Sequence, residues 1–189
     1  MIFADLPTIE TERLILRGWR EEDRTGFAAI NADPAVMEFF PAVLTTEQSD
    51  ARLAGIQEQV RKDKFCWHAV ERRDTGEMIG FTGLAQIQYE AHYAPAVEIG
   101  WRLTPYSQGK GFATEAARAS LRHGFEALGL EEIISLASLG NTASISVMRK
   151  IGLTESAESP FDHPSLMDTP HLNPCVLYRI RREEFDSTL

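Results

Sequence analysis

The chain has 189 residues, 43% of them apolar and 9% aromatic, enough for one substantial core and too apolar for a disordered tail, so one domain over residues 1–189 is expected. A formal charge of −9 argues against a nucleic-acid surface and suits a small cationic or amine substrate, although ordinary solubility explains it equally. No apolar run approaches the ~20 residues that cross a bilayer, and Met1-Ile2-Phe3-Ala4-Asp5 lacks the basic start of a secretory signal, so no membrane partner and a cytoplasmic location are expected.

In chain order, the alternation Arg13-Leu14-Ile15-Leu16-Arg17 predicts a first strand. Arg20-Glu21-Glu22-Asp23 opens a helix with apolar Phe27, Ile30 and Val36 beyond it, which Pro34 interrupts. Thr45 with Gln48 three residues later has the form of a capping box, and Leu53, Ile56 and Val60 make one face of a second helix reaching Lys64. Cys66 to Arg72 and Met78 to Ile87 predict an antiparallel hairpin around Asp74-Thr75-Gly76. After a polar and aromatic loop, Ala96 to Leu103 predicts another strand. A glycine turn then leads into a helix from Ala113 to Leu128, ended by Gly129. Ile133 to Leu139 predicts a strand, Asn141 to Ile151 a helix stopped by Gly152, and Leu153 to Ala157 and Cys175 to Arg181 two last strands. A long Pro-, Asp- and His-rich loop separates those two.

The turn Gln108-Gly109-Lys110-Gly111-Phe112-Ala113-Thr114 nominates the ligand. Glycines let the backbone approach an anion, and a helix start adds unpaired N–H groups and the positive end of its dipole, so a pyrophosphate fits. A nucleoside-triphosphate P-loop is disfavoured, because Gly111 rather than Ser or Thr follows Lys110 and the upstream glycine is missing. A dinucleotide fingerprint needs Gly where Thr114 stands, and Glu131 and Glu132 lie at the start of the next strand instead of its end. A plain strand-to-helix connection is the remaining alternative. Cys66 and Cys175 have no disulfide or zinc spacing and are expected to be reduced and buried. Glu155, Glu158, Asp162, His163, Asp168 and His171 also lack a metal-ligand spacing, so no metal is expected; an acidic loop over an acceptor cleft is the better reading. Tyr89, His92 and Tyr93 form the opposite wall of that cleft, a lid, or a contact between subunits, which leaves a homodimer open.

Glu98-Ile99-Gly100-Trp101, Gln108-x-x-Gly111-x-Ala113, Asn141-x-x-Ser144 and Lys150-Ile151-Gly152-Leu153, in this order, resemble the GNAT superfamily of acetyl-coenzyme A-dependent N-acetyltransferases. The resemblance is greatest to its ribosomal-protein N-terminal acetyltransferase branch, and runs from Thr11 to Arg179. It implies an α/β (α+β) fold with a mixed, mostly antiparallel central sheet that splays between the strand ending near Leu103 and the strand starting near Ile133. Acetyl-coenzyme A, as co-substrate, would enter there. Its pyrophosphate would meet the Gln108 to Thr114 amides, the backbone of Trp101, Arg102 and Leu103 would pair with its pantetheine arm, and Asn141 would hydrogen-bond that arm. Arg102, Lys110, Arg118, Arg122, Arg149 and Lys150 would add positive charge, or lie on solvated helix faces.

Glu98 is the expected general base, with an edge ion pair as the alternative role, and an N–H near Trp101 would polarise the carbonyl. Where many relatives carry a Tyr as general acid, this chain has Met148, which cannot donate a proton. Ser144 is the substitute, or else a first-turn residue satisfying backbone amides. The resemblance implies direct transfer of the acetyl group to an amine acceptor, a protein N-terminus or a small molecule. Met148 keeps a non-catalytic acyl-coenzyme A sensor as the alternative.

Overall fold

The β-rich runs form strands paired mostly through short turns, and the amphipathic runs form helices that cover both faces of the resulting sheet. The computed structural model describes residues 3–188; Met1 and Ile2 of the leader reading, and Leu189, lie outside the described residues. Strands are β1 (Ile9–Glu10), β2 (Leu14–Arg17), β3 (Trp67–Arg72), β4 (Met78–Gln86), β5 (Val97–Leu103), β6 (Glu132–Ser138), β7 (Thr154–Glu155) and β8 (Cys175–Arg181). Helices are α1 (Asp23–Ala32), α2 (Thr46–Asp63), α3 (Phe112–Arg122), α4 (Thr142–Lys150) and α5 (Arg182–Thr188). The sheet order is β1-β2-β3-β4-β5-β6-β8-β7, antiparallel throughout except for the parallel β5–β6 neighbours.

Helices α1 and α2 pack Phe27, Ile30, Leu53, Ile56 and Val60 with Trp19, Ala69 and Phe81 on one face. On the other, Ala117 and Leu121 of α3 and Ile145 and Met148 of α4 meet Leu84, Ile99, Ile133 and Tyr178. The Thr45–Gln48 capping box forms as its spacing predicts. The bidentate grip of Arg17 on Asp23 (2.7 and 2.9 Å) locks the start of α1 to β2.

Several expectations need adjustment. α1 ends at Ala32, before Pro34, so Val36 lies outside it. The run expected to be one helix to Leu128 is α-helical only to Arg122 and then widens into a π turn over His123–Ala127. There Gly124 approaches the sheet so closely that a Cβ would sit 2.7 Å from Leu84 Cδ1 and 2.8 Å from Ile133 Cδ1. The expected 153–157 strand is only Thr154–Glu155, because the chain turns away at Ser156–Ser159. Strand β1 and helix α5 had no periodic signal long enough to register.

A buried histidine gives this fold an acid-sensitive point. His68 is 2% exposed, its Nε2–H donates to the Pro7 carbonyl (3.1 Å), and its Nδ1 finds no partner among the described residues. Burial pushes it down from 6.5 to about 4, with the neighbouring His123 adding to the effect. Because the unfolded state binds the proton more tightly, the stability from neutral His68 is complete above pH 6.5 and is lost as the pH falls toward 4. Melting temperature should therefore fall across that window and less steeply in His68→Gln; an unaltered slope in the variant would remove His68 as the cause.

Candidate active site

The splay begins where β5 leaves β6. The β4–β5 ladder is continuous from Gln86↔Val97 to Gly80↔Leu103, whereas β5 and β6 share only the pair Glu98↔Ile134. Thr82 Oγ1 donates to the Gly100 carbonyl on the β4 side, and Ser135 Oγ donates to the Ile99 carbonyl from the β6 side. Strand alternation then turns the main-chain groups of Trp101 and Leu103 toward the opening between β5 and β6. A cleft of about 770 Å³ occupies this opening.

One end of the cleft is lined by Gly109 and by Gly111–Thr114. Both glycines have positive φ (+72° and +82°), a conformation that side-chain-bearing residues adopt only with strain. Among the described residues, no acceptor takes a hydrogen bond from the amides of residues 109–114; the first bond of this segment is Glu115 N–H to the Gly111 carbonyl. A run of free N–H groups at a helix start has the chemistry of an anion cradle. The turn is braced from outside. Arg13 donates to the Lys110 carbonyl (3.0 Å) and to Glu115 (2.6 Å), and Glu115 also accepts from Thr11 (2.6 Å). Gln108 spends its side-chain amide on the Leu103 carbonyl (3.1 Å). Sequence reasoning missed the Arg13 and Glu115 brace; the pairing is more than a hundred residues apart in the chain, and neither residue stands out in its own segment.

The opposite wall comes from α4. Asn141 caps this helix, its Oδ1 accepting from the Ser144 amide (3.1 Å), which leaves Nδ2 as its free donor toward the cleft. Ser144, Met148 and Lys150 also line the cleft, and Met148 is 1% exposed. The Ser144 hydroxyl has no hydrogen-bond partner among the described residues.

Glu98 projects from the other face of β5, the face covered by α1 and α2. It keeps a partly open side toward the cleft while protein surrounds it elsewhere. This desolvation raises its pKa to about 7, against the pull of Arg52, and no described side chain hydrogen-bonds it. The edge ion pair considered from sequence is absent among the described residues. At the far end, Ser165 N–H donates to His163 Nδ1 (3.1 Å), so the His163 Nε2–H donates to Tyr89 Oη (3.0 Å) and Tyr89 contacts Tyr93 Oη (3.2 Å).

Some charged residues stand elsewhere than expected. Arg102 lines the cleft but is 6% exposed, bound to Asn31 Oδ1 (2.5 Å) and stacked 3.9 Å from the Phe40 ring centroid. Its side chain thus lies on the α1–α2 face, away from the glycine turn, because residues 98, 100 and 102 share one side of β5. Lys110 stays off the cleft wall; Arg118 donates to the Lys150 carbonyl (2.7 Å) and Arg149 to Tyr178 Oη (3.1 Å). Only Lys150 of the six basic residues is both solvent-facing and on the wall. The acidic loop does not present its carboxylates to the cleft. Glu155 accepts from Tyr178 and Glu158 pairs with Arg179 (each 3.0 Å), while His163, Ser165 and Leu166 do the lining. Cys66 and Cys175 are free and buried, and no group of three or more metal-ligating side chains occurs among the described residues.

Residues 13–154 match the family profile described as an acetyltransferase (GNAT) domain. The chain is 32% identical over 145 residues to the uncharacterized N-acetyltransferase YnaD of Bacillus subtilis, covering 77% of this chain and 81% of that protein. It is 30% identical over 194 residues to FsC-acetyl coenzyme A-N(2)-transacetylase of Aspergillus fumigatus, covering 95% of this chain and 78% of that one. Among solved structures, a GNAT acetyltransferase from Bacillus anthracis superposes with a TM-score of 0.76 at 27% identity, covering 94% of this chain and 100% of its own. The ribosomal-protein-S5-alanine acetyltransferase of Vibrio fischeri shares the fold (TM-score 0.70, 17% identity, 95% of this chain and 98% of its own). By the family match, the sequence relatives and the splayed sheet together, the chain belongs to the GNAT acetyltransferase family.

Proposed function

We propose that the chain, as one catalytic domain, transfers the acetyl group of acetyl-coenzyme A directly to a primary amine bound in the same cleft. The observation that carries this reading is the convergence of the free 109–114 amides and the Glu98 carboxyl on one cleft from opposite sides of β5. The name of the Aspergillus relative supports acetyl-coenzyme A as the donor. No described helix is long and apolar enough to cross a membrane, and a cytoplasmic location forms part of the proposal.

In this scheme the turn amides and Lys150 hold the donor's phosphates, and the β5 edge at Trp101 and Leu103 pairs with its arm. Asn141 Nδ2 supplies a further hydrogen bond. The amine nitrogen attacks the thioester carbonyl carbon, a C–N bond forms and the C–S bond breaks. Glu98 takes the amine proton, directly or through one water, and the Trp101 N–H stabilises the charge that develops on the carbonyl oxygen. Met148 cannot supply a proton to the departing thiolate, so the Ser144 hydroxyl hydrogen-bonds the sulfur or relays a proton from water. A serine hydroxyl donating one such bond is worth about 1–2 kcal/mol, so Ser144→Ala should lower kcat roughly tenfold while leaving donor Kd nearly constant. An equal loss in kcat and in donor affinity would instead mark Ser144 as a helix-start residue.

Release of free coenzyme A thiol, followed with a panel of amines and with mass detection of the acetylated product, tests the reading. Amine-dependent thiol release supports it. Tight binding of acetyl-coenzyme A without product from any amine would favour the sensor role that Met148 suggested, and absence of binding would overturn both.

A further inference from the structure

The acceptor end of the cleft carries charges that the transfer chemistry does not use. Its charged wall consists of Glu38 at the exposed rim, Arg52 from α2, Glu98, and Arg102 beneath Phe40. Arg52 forms no hydrogen bond or ion pair with any described residue; the charge that acts on it at longer range is that of Glu98. Burial, with the like charge of Arg52 adding to it, holds the Arg102 guanidinium well below its usual range, at about 9. Behind Arg102, the Nε of that arginine and the Nδ2 of Asn31 are buried donors without acceptors.

This end therefore presents the unpaired Arg52 guanidinium, with Arg102 buried beneath Phe40, beside a carboxyl that is only partly ionised at neutral pH. A polyamine would place further positive charge against Arg52. An acceptor that carries its own carboxylate would answer Arg52 with a charge-assisted, two-pronged bond and would hold the amine toward Glu98. Arg52 and Arg102 lie across β5 from the turn of residues 109–114, so the donor's phosphates do not account for them.

We infer that the acceptor is a small amine bearing a carboxylate, an amino acid or a close analogue, and that Arg52 is the residue that grips the carboxylate. This rests on the acetyl-transfer reading above. The acidic loop, whose Glu155 and Glu158 are turned to Tyr178 and Arg179 and whose Asp162 and Asp168 do not line the cleft, is not the acceptor's recognition element.

Paired acceptors that differ only in a carboxylate or a carboxamide test it, with spermidine as a polycationic third. Wild-type enzyme should favour the carboxylate member by about tenfold or more in kcat/KM, chiefly through KM, as expected for a charge-assisted contact. Arg52→Gln should bring the carboxylate-to-carboxamide ratio close to one, and Arg52→Lys should restore part of it. The ratio cancels any change in Glu98 basicity that loss of Arg52 brings. Equal use of both members by wild type, a preference for spermidine, or an Arg52→Gln enzyme that keeps the ratio would overturn the inference while leaving acetyl transfer standing. Product from other amines of the panel but from neither paired acceptor would overturn this inference alone, and no acetylated product from any amine would overturn the transfer reading and this inference with it.

Discussion

Glu98→Gln is expected to reduce kcat by about 10²- to 10⁴-fold, the usual contribution of a placed general base, with the Kd of acetyl-coenzyme A changed by less than about threefold. The change is nearly isosteric, and residue 98 lies on the face of β5 opposite the phosphate cradle, so donor binding has no reason to respond. Among the described residues the carboxyl has no hydrogen-bond partner to lose, and its pKa stands near 7 because protein surrounds it. A base with that pKa is half ionised at neutral pH. Wild-type kcat/KM should therefore rise with pH through about 7, and the rise assigned to this group should vanish in Glu98→Gln. A variant with the same rate and the same pH profile would remove Glu98 from the chemistry. A variant that lost donor affinity in proportion to rate would make it a structural residue of the cleft.

The second large effect is expected at the glycine turn. Gly111 has φ +82°, and a Cβ there would stand 3.3 Å from the Arg13 guanidinium that braces the Lys110 carbonyl. Gly111→Val thus combines backbone strain of about 1–3 kcal/mol with displacement of the brace. Donor Kd should rise at least about tenfold, because the amides that form the cradle no longer point one way. Gly109 offers the control. Its φ is +72° but nothing lies within 4 Å of an added Cβ, so Gly109→Ala measures strain alone and should weaken binding less. Calorimetric titration with coenzyme A, set beside melting curves, separates lost affinity from lost fold. Wild-type affinity in both variants would refute the cradle.

Much of this was legible in the chain because the signals are local. Thr45 and Gln48 sit three residues apart, Asp74-Thr75-Gly76 carries its own turn chemistry, and Gly109 and Gly111 flank a single lysine at a helix start. Each states its geometry within a few residues. Side-chain direction was harder to read. Strand alternation places Arg102 with Glu98, but its distance from Lys110 in sequence suggests a shared anion site, and only the packing of Asn31 and Phe40 shows where the guanidinium goes. Long-range pairing was invisible for the same reason. Arg13 with Glu115, and Arg179 with Glu158, depend on which strands become neighbours, and the acidic loop reads as a substrate attractor in sequence although Glu155 and Glu158 find their partners in β8. Arg52 went unnoticed in the sequence as one charge on the polar face of an amphipathic helix; its significance comes from the cleft it faces.

Initial rates with both substrates varied test the central claim most directly. Direct transfer within one cleft requires both substrates to be bound together, so double-reciprocal plots should intersect, and acetylated amine should appear in step with free thiol. Parallel lines, or an acetylated enzyme isolated in the absence of amine, would contradict it.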